Sequence, residues 1–187
     1  MMKPDVWIIT GSQRIGKTVL LLDLYQQVQE KKNIPMCGVI SPGFYIQDER
    51  EKIIAQNVET GEKHDLANYL PGWDTTMPEK VWKMDKDGIL WGNTQLKNCE
   101  PKGKVFLLDE IGIYELLEGE GWQAGLEILK RRQYCKAIVT VRKEVLGSLI
   151  NICEEEHILY ELFDLDDPTA EKQRFIEEIL STLPGEL

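Results

Sequence analysis

Gly11-Ser12-Gln13-Arg14-Ile15-Gly16-Lys17-Thr18, with Val19 behind it, fits the spacing G-x-x-x-x-G-K-[ST] at every fixed position. These residue types at this spacing suit one chemistry, the holding of a chain of phosphates beside a divalent cation. Glycine lets the backbone curl so that successive N–H groups face an anion, and a helix starting directly behind the loop adds the positive end of its dipole. A lysine in this place reaches the β- and γ-phosphates, and a threonine hydroxyl ligates Mg²⁺. Gly11 to Val19 are therefore the candidate nucleotide-binding residues, with Lys17 also a catalytic candidate and Thr18 a metal ligand. Average residue usage makes a chance match in a chain this long roughly a one-in-a-hundred event.

A second pair of candidates closes the apolar run Val105-Phe106-Leu107-Leu108. The carboxyl end of a buried parallel strand opens onto the ligand crevice, so Asp109 is placed to hold hydrated Mg²⁺. Its neighbour Glu110 is the candidate base that orients or activates an attacking water. For a cation that would act on the γ-phosphate, the choice lies between Arg142, just past the run Ala137 to Val141, and Arg14 inside the loop. Arginine fingers contribute about 10³ to 10⁵ in phosphoryl transfer, and neither residue is singled out for that role by the sequence.

The elements that must position these groups follow from periodicity. Val6-Trp7-Ile8-Ile9 is a short strand ahead of Gly11, and Val19, Leu20, Leu21, Leu24 and Val28 then repeat at helical spacing until Lys31-Lys32-Asn33 and Ile34-Pro35 stop the helix. Cys37 to Ser41, Val105 to Leu108 and Ala137 to Val141 read as further buried strands. Helices are expected from about Trp122 to Arg132 and from Glu144 to Ile150. Leu159 to Leu165 reads as a last strand, and Asp167-Pro168 as the start of a helix reaching Thr182. Alternating strands and helices imply an α/β fold with a mostly parallel central sheet and right-handed crossovers. Between about 42 and 103 the character changes to a β-rich insertion, in which Lys86-Asp87-Gly88 is expected to turn a hairpin between Val81 to Met84 and Ile89 to Trp91. The whole of 1–187 is expected to form one domain carrying that insertion.

The stretch from Val105 through Asp109-Glu110-Ile111-Gly112-Ile113-Tyr114-Glu115-Leu116 resembles the DEIGxxEL signature of the thermophile and cancer-related nucleoside-triphosphatases, a family of small P-loop enzymes. Gly43-Phe44-Tyr45, with acidic residues, Arg50 and a β-like stretch after it, is similar to a second region of that family. The resemblance runs from about Asp5 to Ile150. It implies a P-loop NTPase architecture of three layers, α/β/α, and slow, Mg²⁺-dependent hydrolysis of ATP, GTP and other nucleoside triphosphates to diphosphates with little base discrimination. Two other readings use the same loop. A nucleoside or small-molecule kinase would aim the phosphoryl group at an acceptor held by the insertion. A nucleotide-dependent binding module would let bound nucleotide order the insertion for a protein partner that the sequence leaves unknown.

Composition narrows the partners. The 187 residues carry a formal charge of -10, with 42% apolar and 29% charged residues, which fits a globular chain that repels a phosphate backbone. Lys130-Arg131-Arg132 is a basic cluster suited to a helix end rather than to nucleic acid. The N-terminal apolar run of five residues is too short for a signal core or a membrane span, so a cytoplasmic protein is expected, without a membrane partner. Cys37, Cys99, Cys135 and Cys153 lack paired spacing and read as free thiols; Cys153 and His157 alone are too few ligands for zinc. His64 and His157 read as structural or surface groups. Tyr69, Trp73, Trp82 and Trp91 are either packing residues of the insertion or a stacking surface for a base.

Overall fold

The structure, a computed structural model, describes residues 4–32, 34–47, 49–69 and 82–184. Trp73 and Val81 lie outside the described residues. Continuous apolar runs become buried strands: β1 (Val6–Thr10), β2 (Met36–Ile40), β7 (Val105–Ile111) and β8 (Lys136–Val141), with only Glu110 and Lys136 partly exposed. With β9 (Tyr160–Asp164) they pair side by side, all parallel, in the order β2, β7, β8, β1, β9. On its other side β2 pairs antiparallel with β4 (Glu49–Asn57), and the sheet continues as a meander through β5 (Lys63–Tyr69) to β6 (Trp82–Met84). β3 (Gly43–Ile46) pairs back onto β4 as a hairpin.

Strand alternation sends successive side chains to opposite faces, and each face is covered by helices. Trp7 and Ile9 of β1 pack with Leu20, Leu21, Leu24 and Val28 of α1 (Lys17–Lys32) and with Phe175, Ile176 and Ile179 of α5 (Lys172–Thr182). Val6 and Ile8 face the other core, shared with Leu96 of α2 (Lys86–Asn98), Leu126 and Leu129 of α3 (Gln123–Arg131), and Leu149 and Cys153 of α4 (Leu146–Glu155). Each buried Leu or Ile contributes about 1.5–3 kcal/mol relative to exposure. The result is the three-layer α/β/α arrangement expected from the sequence.

The hairpin turn expected at Lys86-Asp87-Gly88 is instead the first turn of α2. Asp85 caps this helix, its carboxylate accepting the N–H groups of Asp87 at 2.9 Å and Gly88 at 3.3 Å. Gly88 and Gly92 are close-approach positions rather than turn formers. A Cβ on Gly88 would stand 2.0 Å from the Asp65 carbonyl oxygen, and one on Gly92 would stand 2.3 Å from the Trp122 ring. Asp85→Ala is expected to lose about 1 kcal/mol of stability, a fall of roughly 2–4 °C in Tm by thermal denaturation.

Two boundaries also move. The helix expected from Pro168 begins at Lys172, because Asp167 accepts both the N–H and the hydroxyl of Thr169 and holds those residues in a turn. The helix expected from Glu144 is a single 3₁₀ turn (Lys143–Val145) running into α4, which continues to Glu155. The basic cluster closes α3: Arg132 takes a left-handed conformation at φ 54° and pairs with Asp5 at 2.7 Å. His64 stacks on Trp91 with ring centroids 5.7 Å apart, joining β5 to α2. The four cysteines are free thiols. Among the described residues no helix is long and apolar enough to cross a membrane.

Candidate nucleotide site

The loop from Gly11 to Gly16 leaves the carboxyl end of β1 and enters α1. Its curl comes from three positive φ angles, at Gly11 (138°), Arg14 (64°) and Gly16 (106°). Glycine adopts them freely, whereas Arg14 does so at a cost of order 1–3 kcal/mol that the surrounding structure must over-determine. Lys17 folds back over the loop, donating to the carbonyl oxygens of Gly11 at 2.8 Å and Ser12 at 3.0 Å. Burial lowers its pKa, against the raising influence of Glu110 and Glu144. A half-buried ammonium held only by carbonyl oxygens is poised to exchange them for a polyanion.

Asp109 is fully buried beneath this loop. One carboxylate oxygen accepts the Ser41 N–H at 3.0 Å and the other the Thr140 hydroxyl at 2.6 Å, and the Thr18 side chain stands close by. Burial pushes the Asp109 pKa up and these donors pull it down. Thr140 uses the same oxygen to accept the backbone N–H of Glu110 at 2.8 Å. That bond helps hold Glu110 in a left-handed conformation at φ 67°, a strained choice for glutamate. The Glu110 carboxylate lies 3.8 Å from the Arg142 guanidinium. Burial and the charge of Asp109 raise its pKa, while Arg142, Arg50 and Lys17 oppose the rise.

The segment after Glu110 is fixed by Glu115, which takes up the backbone N–H groups of Gly112 at 2.8 Å and Trp122 at 3.0 Å. Glu115 is 8% exposed, and a Cβ on Gly121 would overlap its carboxylate at 1.9 Å, so the three parts close on one another without slack. Glu115→Ala would strand two buried N–H groups. It is expected to cost about 2–4 kcal/mol in the free energy of urea unfolding.

The loop, Glu110 and Arg142 line one cavity of about 610 Å³, of whose lining Asp109 and Glu115 are not part. Gly11, Gln13, Arg14, Gly16, Lys17, Thr18 and Val19 meet Glu110 and Arg142 there. Ser12 turns away, its N–H and hydroxyl both donating to Asp166 at 2.9 Å. Ile15 packs against Gly11, and its side chain is 39% exposed. Asp166 in turn accepts Lys143 at 2.7 Å, tying the end of β9 to the loop. The sequence reading missed Asp166, although an acid just past a parallel strand was the signal that found Asp109. It also missed that Pro42, Gly43, Tyr45, Glu49, Arg50 and Ile53 from the β3–β4 hairpin share this cavity, as does Trp82. Trp82 packs edge-on to Tyr69 and faces Arg50, and of the three described aromatics Tyr69, Trp82 and Trp91 it is the one that lines the cavity.

Among the described cavity residues the charges are Arg14, Lys17, Arg50 and Arg142 against Glu49, Glu110 and Glu144, an excess of cations in a chain with an excess of acids. Such focusing favours a polyanion. The neighbouring oxygen donors of Thr18 and Asp109 fit a hard divalent ion of the Mg²⁺ type. No group of three or more His, Cys, Asp or Glu side chains gathers to hold a metal among the described residues, so a cation here would draw its remaining ligands from water and phosphate.

A parallel sheet between two helical layers, with a glycine-rich loop leading from β1 into α1 and an acid closing a neighbouring strand, defines a P-loop nucleotide-binding protein. The profile of a family described as NTPase matches residues 6–179, and the chain belongs to that family. No curated protein matches. Among solved structures, the fold is similar to the crystal structure of THEP1 from the hyperthermophile Aquifex aeolicus, at 19% identity and a TM-score of 0.66 over 95% of this chain and 98% of that one. It is also similar to the solution structure of a human cancer-related nucleoside triphosphatase, at 17% identity and a TM-score of 0.68 over 96% of both chains.

Proposed function

We propose that the protein is a Mg²⁺-dependent nucleoside-triphosphatase that converts NTP to NDP and phosphate, slowly and with broad base specificity. The observation that carries this reading is the presence of Glu110 in the same cavity as Lys17, Thr18 and the loop glycines, with Asp109 buried close to Thr18. In that arrangement the amides and Lys17 hold the β- and γ-phosphates and take up the charge that develops on them. Thr18 and Asp109 would hold the cation, which when bound would supply further neutralisation of the phosphate oxygens. Glu110 orients the attacking water and accepts its proton, and Arg142 at 3.8 Å keeps that carboxylate in place.

The test is phosphate release by the purified protein from ATP, GTP, CTP and UTP, each with and without Mg²⁺. Release from all four that requires Mg²⁺ and no added acceptor is the expected result. Tight binding without release would replace this reading by a kinase awaiting its acceptor or a nucleotide-dependent binding module.

A further inference from the structure

Arg50 enters the cavity from a part of the chain that the loop and the acids after β7 do not predict. It stands on β4, which pairs with β3 in a hairpin at the cavity wall. Its guanidinium lies 5.5 Å from the centroid of the Trp82 ring, a cation–π contact that fixes the group while leaving it its charge. Space for this placement is made by Gly43, where a Cβ would stand 2.6 Å from Arg50 Nε and 2.8 Å from the Tyr45 ring. Any larger residue at 43 would displace the arginine. The charge of Arg50 reaches Glu110, whose carboxyl it helps to keep ionised.

Lys17 spans the loop, Arg14 belongs to it, and Arg142 sits against the Glu110 carboxylate, and Arg50 is the cation that the β3–β4 hairpin adds to these. We propose that Arg50 is a further catalytic residue: bracketed by Trp82, it donates hydrogen bonds to the transferring γ-phosphoryl group and stabilises its charge. The proposal rests on the triphosphatase reading. In the step, the water oxygen bonds to the γ-phosphorus as the bond from that phosphorus to the β,γ-bridging oxygen breaks. The electron pair leaves with the NDP, the water proton passes to Glu110, and Arg50 keeps all its protons. A planar fork suits the equatorial oxygens of such a transition state, where a point charge would not reproduce two parallel bonds.

The experiment compares wild type, Arg50→Ala, Arg50→Lys and Trp82→Ala in three measurements: steady-state phosphate release, calorimetric binding of Mg²⁺·ADP, and calorimetric binding of Mg²⁺·ADP with aluminium fluoride. Expected for Arg50→Ala is a fall of about 10²-fold or more in kcat, loss of the extra affinity that fluoride confers, and ADP affinity close to wild type. Arg50→Lys should keep the fold and the charge yet recover only part of kcat, and Trp82→Ala should lower kcat less than Arg50→Ala does. Undiminished turnover and fluoride binding in Arg50→Ala would overturn the assignment, as would a parallel loss of ADP affinity and turnover in Arg50→Lys. A wild-type protein that releases no phosphate would instead overturn the triphosphatase reading itself, and this inference with it.

Discussion

Lys17→Ala is expected to yield a folded protein whose affinity for nucleoside triphosphates collapses and whose phosphate release falls by at least about 10²-fold. Lys17 is the one ammonium that spans the loop, and in the absence of phosphate it bonds the carbonyl oxygens of Gly11 and Ser12. Removing it deletes the charge that would meet the β- and γ-oxygens. It also frees two carbonyls at a partly exposed place where water can replace the ammonium. The fold does not depend on those bonds, because β1 is held by its ladders to β8 and β9 and by Trp7 and Ile9 in the core. Circular dichroism should therefore stay native while calorimetric binding of Mg²⁺·ATP disappears. Wild-type binding and turnover in this variant would overturn the placement of the phosphates.

Glu110→Gln separates binding from chemistry. The amide is nearly the size of the carboxylate, keeps the backbone bond to Thr140, and leaves Lys17, Thr18 and Asp109 untouched. It cannot take a proton from water. General-base assistance is worth typically about 10²–10⁴-fold, so turnover should fall by that factor while affinity for Mg²⁺·NTP holds or rises. A rise is reasonable, because the variant removes a negative charge from a cavity that receives a polyanion. Equal losses of affinity and turnover would assign Glu110 to holding the nucleotide or its cation rather than to activating water.

The parts of this molecule legible in its sequence are those where local pattern and tertiary role coincide. Val6 to Thr18 reads as strand, loop and helix because the glycines, the lysine and the apolar repeat all serve one local geometry. The runs at 37–40, 105–108 and 137–141 read as central strands because a strand covered on both faces needs no polar position. α2 was illegible for a physical reason: two residues on its packing face, Gly88 and Gly92, contribute by having no side chain, and Gly88 after Lys86-Asp87 imitates a hairpin turn. The candidate site divides in the same way. Gly11 to Val19, Asp109 and Glu110 lie in two short segments with recognisable spacing. Arg50 stands in the family-like stretch after Gly43-Phe44-Tyr45 and Trp82 among the candidate stacking residues, but their meeting in the cavity is made by the antiparallel ladders of β4, β5 and β6, and strand register leaves no local pattern.

The pairing of β1 also bears on the history of each molecule. The phosphate loop comes more than a hundred residues before both neighbours of β1, which lie in residues 136–164, and Asp166 then fastens Ser12. During synthesis the loop's residues emerge early and must wait for more than a hundred others before either edge of their strand can be satisfied. Closing such distant contacts is slow, and a nascent chain in that interval carries an unpaired strand that is apolar from Val6 to Ile9. Affinity for nucleotide is thus gained only when the last parallel strand docks, and nucleotide present at that moment favours the completed fold over the waiting one.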